Sequence, residues 1–529
     1  MYATNTTISQ SVAARAVTVS ALAVIMISAL LIRLPFLTRN LPWSPEVDEP
    51  MFVEAAVRIA ASGDLNPHWF GNPASTTIYP LAAAYRIWGA WASLKFAATP
   101  SQIIINAYNN DFSGFYLAGR LLSALYAMVS LPFVYLISRR LTNRAMSMLA
   151  VLLVAVSPLV IYYSTVVRSD SAGLFFVLLA IWLILHAGEN PTLRRFALAG
   201  LAIGGAIASR YFMVSLIAPL LLVAGEDGWR QGRRRLAVSL IAAAVAFVAT
   251  TPFLFFDLGA ATSNLWEEAR GEHLGTDGYS ILGNALWYVV IALPASIGLA
   301  QCAAAGIGLG AALVARHRTA LVLLFFSFSF IGLISTPSLH WQRWVIQLLP
   351  IVAIFSVFGL TTLMAYGQKR YRLSKKVVTA VGVLATMIML ITPVTELSTL
   401  TKSMLTPSTR LLARAWILAH VPAGSRLGIE FYGPPLIGAP VTTSYPFSLS
   451  ERSFETYRRE GYNYLIINER IEAAMRRQPE RYIQELMFYD ELRAQARPAW
   501  HIAPAMSCPL DRDDFVAACG SPPLTIYEL

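Results

Sequence analysis

The chain has 529 residues, 56% of them hydrophobic and only 13% charged, with a net charge of +11. Soluble domains carry about 25% charged residues, so this composition excludes an ordinary soluble protein and defines a membrane protein. The basic residues cluster in short loops between apolar runs, as topology signals do, which argues against nucleic acid as the partner, and three cysteines exclude a disulfide-rich scaffold.

The first apolar run, 15–36, ends in Leu31-Ile32-Arg33-Leu34-Pro35 with no convincing small-residue cleavage site, so it reads as an uncleaved first span. Further spans are expected at 113–138, 145–165, 171–187, 195–209, 210–225, 236–256, 284–314, 319–335, 341–366 and 376–396. Each is close to the ~20 residues that cross a bilayer. The clusters Arg139-Arg140 with Arg144, Arg194-Arg195, Arg230 with Arg233-Arg234-Arg235, Arg316 with Arg318, and Lys369-Arg370 with Lys375-Lys376 all become cytoplasmic if the N-terminus is inside. The stretch Tyr79 to Ala97 then cannot cross singly and reads as a juxtamembrane or re-entrant helix on the outer side. The pair 195–209 and 210–225 rests on a break at Arg210; as one helix it would invert everything after it.

This topology leaves 37–112, the turn at Arg168-Ser169-Asp170, 257–283 and 336–342 outside, together with 397–529. In 397–529 Pro, Glu, Arg and Tyr rise and spanning runs disappear. Leu411–His420 and Pro479–Ala494 read as helices, and Ser425–Phe431 and Tyr464–Ile467 as strands, giving a small soluble α/β domain after a membrane domain of 1–396. Cys508 and Cys519 lie in it and have two readings, a pair across a short loop or two free thiols. Cys302 falls within a span and reads as packing.

Polar residues gather on the outer side. Ser44-Pro45-Glu46-Val47-Asp48-Glu49-Pro50 places two adjacent carboxylates just beyond the first span. An acidic pair there can start a helix, where it favours the dipole, or hold a base beside the bilayer. Arg168 and Asp170 can close a helix end as an ion pair or form a second acidic position with an orienting guanidinium. The Gly-rich stretch Glu267–Tyr279 carries Arg270, Glu272, His273 and Asp277; its spacing matches no known metal-ligand pattern, so a divalent metal is unsupported and no cofactor is required. Arg343, between Trp341 and Trp344, and Arg210 each read as interfacial anchors or as ligands for a lipid-linked phosphate. No phosphate-binding Gly-rich loop of a nucleotide enzyme is present.

Several segments together resemble the C-type fold glycosyltransferases, nearest to protein mannosyltransferase family 39 and its bacterial relatives, which include aminoarabinose transferases. They are Asp48-Glu49, Gly119–Leu125, Arg139-Arg140-Leu141, Ser157-Pro158 through Ser164, Arg168–Asp170, Thr251–Asp257, Arg270–Gly278 and Gln347–Pro350, in order over roughly 30–370. The resemblance implies a polytopic α-helical protein of about 11 to 13 transmembrane helices. It implies an inverting transferase that takes sugar from a polyprenyl-phosphate donor to a lipid, glycan or protein acceptor at the outer face of a bacterial cytoplasmic membrane. Asp48 is then the expected base, Glu49 its helper, and Asp170 the second acid. Arg270, His273, Arg343 and Arg210 are expected on the donor phosphate, with Arg168 and Tyr79 orienting. Where several bacterial relatives carry Lys before Pro-Pro, this chain reads Thr77-Ile78-Tyr79-Pro80. A transporter or flippase of a lipid-linked intermediate is the rival reading; such proteins more often show repeated halves and midplane charges. A scaffold presenting 397–529 would leave Asp48 and Asp170 without a task.

Overall fold

A computed structural model describes residues 2–43, 46–268, 274, 280–510 and 518–529. Among these, five helices are long and apolar enough to cross a membrane: Ala16–Leu37, Ser113–Ser138, Asp170–Glu189, Gln342–Arg370 and Lys375–His420. Five shorter apolar helices, Arg144–Ala155, Tyr211–Ala224, Ile281–Ile297, Leu299–Val314 and Arg318–Ile334, complete the apolar set. The fold is the polytopic α-helical class expected from the sequence.

The differences from the expected spans lie at breaks, and each has a local cause. The run 145–165 is interrupted after Ala155, and a new helix, Pro158–Tyr163, starts at the proline. Pro158 donates no backbone hydrogen bond and pushes Ser157 into an extended conformation. The run 284–314 is broken at Gly298, with φ 88° and ψ 152°, a conformation essentially confined to glycine. A Cβ there would also lie 2.7 Å from Cβ of Thr392 in the helix Lys375–Leu405. The break at Arg210 is present: the helix Leu193–Ser209 ends, Arg210 is extended, and a 3-10 turn Tyr211–Leu216 follows.

Helices Leu193–Ser209 and Trp229–Thr250 approach through Gly200 and Gly204, where an added Cβ would sit 2.1 Å and 2.3 Å from the carbonyl oxygens of Ser239 and Ala243. Small residues four apart let helix backbones meet in an apolar medium, where burial gives helices no reason to associate. Between the first two spans, helices Glu49–Ser62, Ser75–Ser93 and Pro100–Asn110 share their own core of Phe52, Ile59, Ile78, Tyr85, Ile104 and neighbours. Ser75–Ser93 is the helix expected near Tyr79 to Ala97.

The helix Lys375–Leu405 runs past 396, and Thr409–His420 follows it. Beyond lies a five-stranded sheet: β1 Arg426–Ile429, β2 Thr442–Ser444, β3 Tyr464–Asn468, β4 Arg497–Ile502 and β5 Leu524–Glu528. The strand order is β2-β1-β3-β5-β4. β1 pairs parallel with β2 and β3; β5 pairs antiparallel with β3 and β4. Its two faces bury separate clusters, one around Tyr457, Leu465 and Tyr489, the other around Ile417, Leu427 and Ile526. Cys508 and Cys519 are joined as a disulfide.

Candidate active site

Asp48 and Glu49 are neighbours in sequence and opposites in surroundings. Asp48 occupies the N-cap of helix Glu49–Ser62, yet its side chain makes no capping hydrogen bond. It turns instead to form an ion pair with Arg168, with 30% of the side chain exposed. The Glu49 side chain is fully buried. Its two oxygens accept a bidentate pair from Arg120, Nε at 2.8 Å and Nη2 at 2.7 Å. They also accept the backbone N–H groups of Val167 at 2.8 Å and Glu46 at 3.0 Å. Arg120 spends its remaining nitrogen on the carbonyls of Leu37 and Arg39. Four donors saturate the Glu49 carboxylate, which ties the end of the first span to the segment that carries Arg168. Of the two tasks the resemblance allows for Glu49, binding the acceptor or positioning the base, a carboxylate held by four donors in the cavity wall fits the second.

Arg168 lies just ahead of helix Asp170–Glu189, whose first turn carries Asp170. Its Nε donates to Asp170 Oδ2 at 3.1 Å, while Arg210 pairs with Asp170 Oδ1. Arg33, fully buried in the first span, holds the preceding segment in place by donating to Ser164 Oγ at 2.7 Å and the Ala29 carbonyl at 2.8 Å. Arg343 comes from the 3-10 turn Gln342–Leu348, its guanidinium 4.4 Å from the Trp341 ring centroid. Among the described residues, its buried Nε and the buried indole N–H of Trp344 have no hydrogen-bond partner.

Asp48, Arg168, Arg210 and Arg343 line one cavity of about 650 Å³, together with Trp69, Tyr163, Trp341 and Phe431. Arg168 and Arg210 pair with Asp48 and Asp170, Arg343 stands beside them, and Glu268 lines the same cavity. Burial, then the Arg343 charge, pulls the Arg168 guanidinium below its ordinary value, with Asp170 acting in the opposite direction. An anion placed among the three would relieve that repulsion. Such a cavity can hold a phosphate and present one partly exposed carboxylate, Asp48, to a neighbouring hydroxyl.

Of the other sequence candidates, Tyr79 falls outside the cavity. It donates to the Leu65 carbonyl at 3.1 Å, and burial raises its hydroxyl to about 12. Arg270 and His273 lie outside the described residues, as do Glu272 and Asp277. Among the described residues no group of three or more His, Cys, Asp or Glu side chains is arranged to hold a metal ion. The sequence reading includes Arg120 in the segment Gly119–Leu125 but gives it no role, although a lone arginine inside an apolar span is itself a signal. It likewise gives no role to Arg39, Glu46 and Tyr432, whose contacts join residues hundreds of positions apart.

Residues 111–256 match the family model of dolichyl-phosphate-mannose-protein mannosyltransferases. That stretch contains Arg120, Arg168, Asp170 and Arg210. No curated protein matches the chain. The apo structure of ArnT from Cupriavidus metallidurans aligns over 95% of this chain and 97% of its own, at 14% identity and TM-score 0.51. The same protein bound to undecaprenyl phosphate aligns over the same shares at 14% identity and TM-score 0.48. Archaeal oligosaccharyltransferase AglB from Archaeoglobus fulgidus, in complex with an inhibitory peptide and a dolichol-phosphate, covers 89% of this chain and 71% of its own, at 13% identity and TM-score 0.49. The resemblance to the C-type glycosyltransferases read from the sequence is borne out: the chain is a membrane protein with their fold.

Proposed function

We propose that the chain is an inverting glycosyltransferase that moves a sugar from a polyprenyl-phosphate donor to a hydroxyl or phosphate oxygen of a lipid, glycan or protein acceptor. The observation that carries this is the presence, in one cavity, of a partly exposed carboxylate, Asp48, and three guanidinium groups, of which the Arg343 Nε has no hydrogen-bond partner among the described residues. Asp48 takes the proton of the acceptor hydroxyl. The acceptor oxygen attacks the anomeric carbon from the face opposite the phosphate, the carbon–oxygen bond to phosphate breaks, and the electron pair leaves with the phosphate. Arg168, Arg210 and Arg343 meet the charge that develops there. A phosphate needs no acid to leave, so one carboxylate suffices, unlike the pair a glycosidase uses. Asp170 holds Arg168 and Arg210 in place and stays ionised between them. Glu49 fixes the loop geometry through Arg120 and takes no part in proton transfer. The clustering of basic residues in alternate loops supports a cavity that opens at the outer face of a bacterial cytoplasmic membrane, with the sheet domain on the same side.

The match of residues 111–256 to the model of dolichyl-phosphate-mannose-protein mannosyltransferases supports the donor class without fixing the sugar. The test is transfer of radiolabelled sugar from a panel of polyprenyl-phosphate sugars, in membranes that carry wild type or Asp48→Asn and their native lipids and glycans. Incorporation that vanishes in Asp48→Asn, with the protein still inserted, is the expected result. Equal incorporation in both would remove Asp48 from the mechanism.

A further inference from the structure

Glu46 stands two residues before Asp48; its backbone N–H belongs to the Glu49 cluster, but its carboxylate makes a separate set of contacts. Its carboxylate, 13% exposed, accepts from two sides. Arg39 Nη1 donates to Oε1 at 3.2 Å, and the hydroxyl of Tyr432 donates to Oε2 at 2.6 Å. Tyr432 lies 386 positions away, just after β1 of the C-terminal sheet. It adopts a left-handed backbone conformation, φ 64°, uncommon for a bulky residue. Arg410 places its guanidinium 4.2 Å from the Tyr432 ring centroid.

The contact does not stand alone. Arg39 also donates to the carbonyl of Cys519, and the Cys519 N–H donates to the hydroxyl of Tyr162 at 3.1 Å. Gly520, at φ 68°, brings its backbone against the same carboxylate: a Cβ there would lie 3.2 Å from Glu46 Oε1 and 3.3 Å from the Tyr432 hydroxyl. Ser408 and Thr409 fasten this segment by donating to the carbonyls of Gly520 at 2.5 Å and Pro522 at 2.6 Å. On the other side, the Glu46 N–H donates to Glu49 Oε2 and the Glu49 N–H to the Glu46 carbonyl at 3.1 Å. The path from Tyr432 to Asp48 is therefore continuous: phenol, Glu46 carboxylate, a two-residue turn, Asp48.

We propose that Tyr432 is a positioning residue, through which the C-terminal domain holds the Glu46–Glu49 turn so that Asp48 faces the cavity. The inference rests on the transferase reading given above and gives the sheet domain, whose Phe431 lines the cavity, a part in placing the base. Removing the phenol leaves the Glu46 carboxylate with Arg39 alone and frees the turn to rotate. The three phosphate-facing arginines stay where they are.

The test compares wild type, Tyr432→Phe, Glu46→Gln and the double variant as full chains in lipid nanodiscs, with Asp48→Asn as a control. Two readouts are taken: steady-state transfer per folded molecule, and hydrogen exchange of the peptide that spans residues 46–49. Tyr432→Phe is expected to lower kcat by about tenfold to a hundredfold, the scale of a small misplacement of a catalytic group, with donor KM changed less than about twofold. Exchange in 46–49 is expected to rise, and the double variant to cost little more than the worse single one. Unchanged exchange, or an unchanged kcat, overturns the proposal, as does additivity of the two substitutions. If Tyr432→Phe fails to accumulate, Glu46→Gln reports on the same contact from the other side. Transfer that survives Asp48→Asn would instead remove Asp48 from the mechanism, and no transfer by wild type from any donor would sink the transferase reading, whatever the exchange data show.

Discussion

Two ionic clusters lie within a few residues of each other, one closed and one open. In the closed cluster, Glu49 and Arg120 face each other with four donors for two carboxylate oxygens, and the Arg120 nitrogens are spent on that carboxylate and two carbonyls. In the open cluster, Asp48 and Asp170 pair with Arg168 and Arg210 beside Arg343, and the Arg343 Nε is unsatisfied among the described residues. Both are costly to build near a bilayer. The closed one recovers its desolvation internally and acts as a strut. The open one leaves charge and hydrogen-bonding capacity for a molecule that is not part of the chain. Residue type alone does not separate them; the count of donors against acceptors does.

The largest effect expected from perturbing this contrast is on chemistry. Asp48→Asn should lower transfer by about 10²- to 10⁴-fold, the usual contribution of a general base, while thermal stability of the membrane-inserted protein stays close to wild type. In the closed cluster the pattern reverses. Arg120→Met strands the Glu49 carboxylate in the interior and should cost about 3–5 kcal/mol of stability, seen as loss of monodisperse protein on heating in detergent. A stable Arg120→Met protein with normal turnover would show that the strut is dispensable.

A third carboxylate, Glu430, extends the comparison into the sheet domain. It sits at the end of β1, buried, accepting from the N–H groups of Leu449 at 3.1 Å and Asn468 at 2.7 Å and from the Tyr489 hydroxyl at 2.5 Å. Burial outweighs these donors and raises its carboxyl from the ordinary 4.5 to about 7. The folded state therefore binds this proton more tightly than the unfolded state. The stabilisation is full below pH 4.5 and is lost as pH rises through 7. It amounts to roughly 3 kcal/mol. Unfolding of the sheet domain followed by hydrogen exchange should show lower stability at pH 8 than at pH 5, and Glu430→Gln should flatten that slope. A smaller effect is expected from Arg343→Lys, which keeps the charge but loses the planar fork. Transfer should fall about tenfold to a hundredfold, mostly in kcat/KM for the donor.

Much of this was legible in the sequence because it rests on local rules. The span 113–138 matches the helix Ser113–Ser138, and the break at Arg210 was placed from short apolar lengths and one charge. The interruption at Pro158 had a signal in the proline itself, outweighed by the apolar run around it. The interruption at Gly298 had almost none, since its cause is the approach of Thr392 from a helix about ninety residues on. In the C-terminal domain β3 was legible as Tyr464–Ile467, a short apolar run. β4 carries Pro498 and alternates poorly, and β2 has only three residues, so both depend on partners for their existence. The placement of Asp48, Arg168 and Asp170 in one region followed from topology. The division of labour between Asp48 and Glu49 did not, because it is decided by Arg120 reaching back across 71 positions.

The contrast between an open and a closed cluster is tested most directly by binding of polyprenyl monophosphate, with no sugar attached, to the purified chain in nanodiscs. Wild type should bind it. Arg343→Ala should weaken binding by at least tenfold, as expected for loss of a charged hydrogen-bonding partner of phosphate. Asp48→Asn, inert in transfer, should bind as well as wild type or more tightly, because it removes a negative charge from the cavity. Equal binding by wild type and Arg343→Ala, or a loss of binding in Asp48→Asn, would contradict the assignment of the open cluster to the donor phosphate.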